Sequence, residues 1–118
     1  MNILVVDDDQ IIRSMLERFF KHEGFGVSTA CDGLTALNLV KSEKFDIIFM
    51  DVRMPQMDGL EATREIKKIN PEQKIVMMTG YTEEEIYHKA QKEGILAFLY
   101  KPFDIEEVID LVKCVDKK

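Results

Sequence analysis

Long apolar runs are missing from this chain. None approaches the ~20 residues that a membrane-spanning helix needs, and Met1-Asn2 leads into a strand with no basic stretch ahead of it. Neither a membrane-spanning helix nor a leader sequence is expected, and the cytoplasm is the expected location. Cysteine is scarce: Cys31 and Cys114 lie far apart and neither sits in a metal or redox spacing, which leaves a structural disulfide or zinc site without support. Positive charge is in deficit, 16 Lys and Arg against 22 Asp and Glu, for a net charge of −6. The chain has no electrostatic footprint for nucleic acid. Linkers, repeats and low-complexity segments are also absent, so residues 1–118 are expected to form one domain with no effector domain attached. With 46% apolar residues, it can bury about two thirds of its unfolded surface.

What is present is a regular alternation. Ile3 to Val6 is a short apolar strand that runs into Asp7-Asp8-Asp9, after which Ile12, Met15, Leu16, Phe19 and Phe20 recur at helical spacing. Val27 to Ala30 reads as a weaker strand, and Asp32-Gly33 opens a helix carrying Leu37 and Val40. Ile47 to Met50, apolar on both faces, suits a strand buried in the middle of a parallel sheet and ends at Asp51. Asp58 with Glu61 caps a helix bearing Ala62, Ile66 and Ile69, stopped by Asn70-Pro71. Lys74 to Met78 gives a fourth strand. Thr82 and Glu85 have capping-box spacing before a polar helix with Ile86 and Ala90, and Ala97 to Tyr100 follows as a fifth strand. Asp104 and Glu107 repeat the cap ahead of a last helix whose inner face is Ile105, Val108, Ile109 and Val112.

Five strands alternating with five helices predict an α/β fold, a parallel sheet covered on both faces by right-handed crossovers. All strand carboxyl ends then share one edge, where open α/β sheets bind ligands. Asp7, Asp8, Asp51, Thr79 and Lys101 each stand there, directly after an apolar run. The strand order 2-1-3-4-5 is taken over from flavodoxin-like doubly wound sheets; it makes the first and third strands neighbours and brings Asp7, Asp8 and Asp51 together.

Three carboxylates in one cleft repel. At ~5 Å and an effective dielectric of ~20, each charged pair costs about 3 kcal/mol, which a divalent cation relieves. An all-oxygen set with no His or Cys suits magnesium, and manganese would serve as well. Lys101 adds a fixed positive charge and Thr79 a hydroxyl donor. Together these groups would hold a phosphoryl group on Asp51, since phosphoryl transfer depends on positioning and on neutralising the transferred oxygens, and a carboxylate nucleophile gives an aspartyl phosphate.

In order and spacing, Val5-Val6-Asp7-Asp8, Met50-Asp51-Val52-Arg53-Met54-Pro55 with Asp58-Gly59, Met78-Thr79-Gly80 and Lys101-Pro102-Phe103 resemble the receiver domain of two-component response regulators over essentially the whole chain. The resemblance implies that Asp51 is the phosphoacceptor, that Asp7 and Asp8 hold magnesium, Asp8 directly, and that the Arg53 carbonyl completes the metal site. It makes Thr79 the switch hydroxyl, Lys101 the phosphoryl-binding ammonium on a cis Lys101-Pro102 peptide, and Phe98 the switch aromatic where many receivers have tyrosine. Arg53 and Tyr81 would rim the site and set the phosphoryl lifetime. A sensor histidine kinase or histidine phosphotransfer protein is the implied donor, with a downstream protein as target. The stretches Thr79-Gly80-Tyr81 and Lys101 to Ile105 look most similar to the free-standing intermediates of sporulation-type phosphorelays.

Other readings weigh less. Asp9 suits a helix N-terminus and Asp58 a helix cap rather than a ligand. His22 and His88, without partner motifs, read as surface histidines. A metal-dependent aspartate phosphohydrolase would also use an Asp nucleophile, but its D-x-D-x-[TV] pattern meets Asp7, Asp9 and then Ile11. A flavodoxin-like cofactor protein needs a phosphate cradle after the first strand, where Asp7-Asp8-Asp9 would repel phosphate.

Overall fold

The computed structural model describes residues 1–80 and 84–116. Five strands, β1 (Asn2–Val6), β2 (Gly26–Ala30), β3 (Ile47–Asp51), β4 (Ile75–Thr79) and β5 (Ala97–Tyr100), alternate with five helices. The helices are α1 (Gln10–His22), α2 (Gly33–Ser42), α3 (Gly59–Ile69), α4 (Glu84–Lys92) and α5 (Ile105–Asp116). All strand pairs are parallel and the order is β2-β1-β3-β4-β5, as expected.

Alternation along each strand divides the core. Leu4, Val6, Ile48, Met50 and Ile75 pack with Ala36, Leu37, Ala62 and Ile66 of α2 and α3. Ile3, Val5, Ile47, Phe49, Val76 and Met78 point the other way, onto Leu16 and Phe20 of α1 and Val108 and Val112 of α5. A smaller cluster seats Ala90 of α4 on Val52 and Met77. Every residue of β3 and β4 is buried, which is why these strands read as continuous apolar runs.

Helix starts follow the expected chemistry at three sites. Asp9 accepts from the Ile11 amide at 2.9 Å, Asp32 from the Thr35 amide at 2.7 Å and Asp58 from the Glu61 amide at 2.9 Å. The Asp104 carbonyl closes the start of α5 by accepting from Glu107 at 3.1 Å. The expected Thr82 cap lies outside the described residues.

Three residues assigned to inner helix faces are exposed: Met15 at 46%, Ile69 at 44% and Ile105 at 40%. The buried stripe of α1 runs through Leu16 and Phe20, with Ile12 and Phe19 packed beside it, so Met15 falls on the flank four residues from the exposed Ile11. Ile69 is the last residue of α3 and Ile105 the first of α5, where the helices extend past the sheet that would cover them. β3 and β4 also run one residue further than expected, taking Asp51 and Thr79 into the ladder.

Candidate functional site

Strand register brings the polar residues to one edge. Val6 lies opposite both Ala30 and Met50, so Asp7 emerges beside the end of β3. Asp51 pairs with Met78, and Thr79 with Tyr100. The Lys101 amide then donates to the Thr79 carbonyl at 2.7 Å, carrying the ladder one residue further and launching the lysine from the adjoining strand end. Lys101 and Pro102 are joined by a cis peptide, as the resemblance implied.

Asp7, Asp8 and Asp51 each contribute a carboxylate oxygen to a set whose members all lie within 4.8 Å of one another. Asp7 is fully buried, Asp51 nearly so, and Asp8 is exposed. Lys101 Nζ bridges the two buried acids, donating to Asp7 Oδ2 at 2.8 Å and Asp51 Oδ1 at 3.2 Å. The other Asp7 oxygen, Oδ1, accepts from the Asp9 amide at 2.9 Å. Asp7 is therefore engaged on both oxygens, which leaves Asp8 as the more accessible ligand.

Burial, and after it the neighbouring Asp7 charge, pushes the Asp51 carboxyl up to about 7 against the lowering effect of the Lys101 ammonium and its hydrogen bond. Burial opposes the charge of Lys101 as well. There the hydrogen bonds and charges of Asp7 and Asp51 win, holding the ammonium above its ordinary range. The pocket is thus short of positive charge, and an oxygen-ligated divalent cation fits that deficit.

Asp8 and the Arg53 segment border one open cleft of about 560 Å³, lined further by Met54, Asp58, Ile86 and Lys89. Gly59 sets how closely α3 approaches. Its amide donates to the Val52 carbonyl at 2.9 Å, and a Cβ there would collide with the Asp51 carbonyl oxygen. This gives the Asp58-Gly59 pair its reason: one residue caps α3 and the next lets that helix end lie against the acid-bearing strand end.

Of the expected site residues, Asp7, Asp8, Asp51 and Lys101 converge, and Thr79 is buried at the neighbouring strand end. Phe98 is not in the acid pocket; it stacks on Tyr87 of α4 at 5.2 Å and on Tyr100 at 5.9 Å. Tyr81 lies outside the described residues. His22 is exposed, as are the two free cysteines.

Sequence reading missed the aromatic stack, and it missed Arg13, whose Nη1 donates to the Asp7 carbonyl at 2.6 Å. The signal for Arg13 was its place one turn after the Asp9 cap, from which a helical side chain leans back towards the loop.

A family model for the response regulator receiver domain matches residues 3–113. The chain belongs to this family. The receiver is 38% identical over 111 residues to sporulation initiation phosphotransferase F of Bacillus subtilis (strain 168), spanning 94% of this chain and 90% of that protein. Several transcriptional regulators match at the same identity, and the receiver spans only 23–24% of their length. Among solved structures, chemotaxis protein CheY4 of Vibrio cholerae aligns with a TM-score of 0.91 at 32% identity, over 97% of each chain. Response regulator protein TrrA of Thermotoga maritima, solved in complex with Mg(2+)-BeF, aligns with a TM-score of 0.87 at 32% identity, also over 97% of each chain.

The chain is therefore a phosphoryl-accepting module of two-component signalling, a family that binds magnesium at its acidic pocket and contacts histidine kinases or phosphotransferases and downstream targets. The aspartate phosphohydrolase alternative finds no support. Among the described residues, no helix is long and apolar enough to cross a membrane.

Proposed function

We propose that Asp51 receives the phosphoryl group from a partner's phosphohistidine and that the receiver passes it on to a second histidine. The observation carrying the first half is the Lys101 ammonium, which reaches Asp51 at 3.2 Å inside a cluster of three carboxylates. The likeness to a phosphotransferase over 90% of that protein supports the second half.

An Asp51 carboxylate oxygen attacks phosphorus in line, the P–N bond breaks, and the imidazole leaves with its electron pair. Lys101 shifts from the two carboxylates to a phosphoryl oxygen, keeping its positive charge at the site. The Thr79 hydroxyl donates to another phosphoryl oxygen. Asp8, Asp51 and the Arg53 carbonyl would hold the magnesium ion, while Asp7 Oδ1 stays held by the Asp9 amide. The ion supplies charge neutralisation and orientation of the phosphoryl oxygens. Manganese would fit the same oxygen set. A cytoplasmic location suits a chain that meets a kinase's phosphohistidine. Arg53, which borders the same cleft as Asp8, would rim the approach of hydrolytic water.

The test is a transfer series. Receiver phosphorylated on Asp51 with labelled phosphate is mixed with histidine phosphotransfer domains, and label on the second protein is followed. Label should move within minutes to at least one such domain and return when the donor is reversed. Loss of label only to free phosphate across the series would reject onward transfer and leave a target-binding output.

A further inference from the structure

Among the described residues, four hydrogen bonds besides the Lys101 bond to Asp7 Oδ2 tether the loop between β1 and α1. The Asp7 amide donates to the Ala30 carbonyl at 3.2 Å, the Asp9 amide to Asp7 Oδ1 at 2.9 Å and the Ile11 amide to Asp9 Oδ1 at 2.9 Å. The fourth is the Arg13 guanidinium, whose Nη1 donates to the Asp7 carbonyl at 2.6 Å. The first three use neutral amide donors. The fourth has a charged donor, whereas in the second and third the charge is on the accepting carboxylate.

Its target is informative. The Asp7 carbonyl belongs to the peptide unit that joins Asp7 to Asp8, and a peptide unit is planar. Pinning its oxygen fixes the plane, and with it the position of the Asp8 Cα from which the side chain leaves the chain. Asp8 is exposed, so packing does little to hold its carboxylate against repulsion from Asp7 and Asp51. Arg13 is half-buried on the first turn of α1, an end where the helix dipole disfavours a cation. A contact of value at that place has to offset this.

We propose that Arg13 is a positioning residue for the cation site: by holding the Asp7–Asp8 peptide unit it aims the Asp8 carboxylate at the space shared with Asp51. The proposal rests on the reading of Asp8 as a magnesium ligand. It makes a prediction opposite in sign to simple electrostatics. Removing a positive charge near a cation site should tighten cation binding if charge alone matters. If Arg13 aims Asp8, removing it loosens binding.

The experiment titrates magnesium chloride into the full chain and follows the backbone amide signals of Asp8, Asp9 and Asp51. Arg13→Met keeps most of the half-buried stem and removes every donor. Its half-saturating magnesium concentration should rise about three- to tenfold. Phosphorylation by acetyl phosphate should slow at low magnesium and return to the parental maximal rate at saturating magnesium, a split that mere loss of fold stability would not produce. Arg13→Lys, which keeps charge and donor, should recover at least half of the lost affinity, and it stands in if Arg13→Met fails to fold, then showing only a small loss. Unchanged or tighter binding in Arg13→Met, or a Lys variant as weak as Met, would overturn the proposal. Asp8→Asn is the separate control: parental affinity in that variant would reject Asp8 as a ligand, whereas lost affinity there beside intact binding in Arg13→Met rejects only the role of Arg13.

Discussion

Asp51 is buried beside a second carboxylate, and its charge is correspondingly unfavourable until a cation arrives. Its unfolded carboxyl titrates near 3.8 and its folded carboxyl near 7, so between these values the native state binds more protons than the unfolded chain. Stability contributed by this group is present below pH 3.8 and is lost as pH rises through 7. In EDTA, Asp51→Asn should therefore be more stable than the parent at pH 8, by roughly 2 to 4 kcal/mol, with the gap closing towards pH 4. Urea unfolding of the two proteins across this range checks it, and parallel curves would show that the cluster is not strained. The rim residues make a second prediction. Arg53→Ala and Tyr81→Ala should still accept phosphate but lose it about two- to tenfold faster, equivalent to ~0.5 to 1.5 kcal/mol of barrier. Intact mass followed at fixed magnesium measures this; longer lifetimes would give the shielding idea the wrong sign.

Strand ends and helix starts carry the next level of the account. Gly59→Ala places a methyl against the Asp51 carbonyl oxygen, which neither α3 nor β3 can yield without moving the site. It should cost about 2 kcal/mol or more in urea unfolding and reduce the rate of phosphorylation together with stability. The β4–β5 pair is the proposed switch. Thr79 and Tyr100 are register partners, and Phe98 stacks between Tyr87 and Tyr100, so a hydroxyl drawn towards a phosphoryl group would shift this aromatic stack and bias α4. Thr79→Ala should lose most of the phosphorylation-dependent amide shifts in α4 and β5 while keeping those around Asp51; a full response would remove Thr79 from the switch. The same elements show how far sequence carries. Every strand but β2 is a short apolar run, and the site acids and base stand at the ends of such runs, so the sheet and the converging groups were readable in outline. Helical spacing marks a stripe but not its edges, which is why Met15, Ile69 and Ile105 were placed inwards. Arg13 had only its place one turn after the Asp9 cap to mark it, and the Tyr87–Phe98–Tyr100 stack depends on strand register and the seating of α4, which no local pattern encodes.

Taken as a whole, the molecule couples folding to the occupancy of one polar edge. The buried Asp51 carboxylate is unfavourable in the empty fold, so a magnesium ion held beside it would act as a folding ligand. Magnesium at 100 times its dissociation constant should add about 2.7 kcal/mol, or about 10 °C in Tm for a chain of this size, and EDTA should remove it. A magnesium effect equally large in Asp8→Asn would place the ion elsewhere. The central claim is that the phosphoryl group resides on Asp51. After phosphotransfer from a phosphohistidine donor in magnesium, borohydride reduction converts an aspartyl phosphate to homoserine, which peptide mass mapping locates. Homoserine at position 51, absent when EDTA is added before the transfer, is the predicted result; homoserine at another acid, or none despite incorporated phosphate, would contradict it.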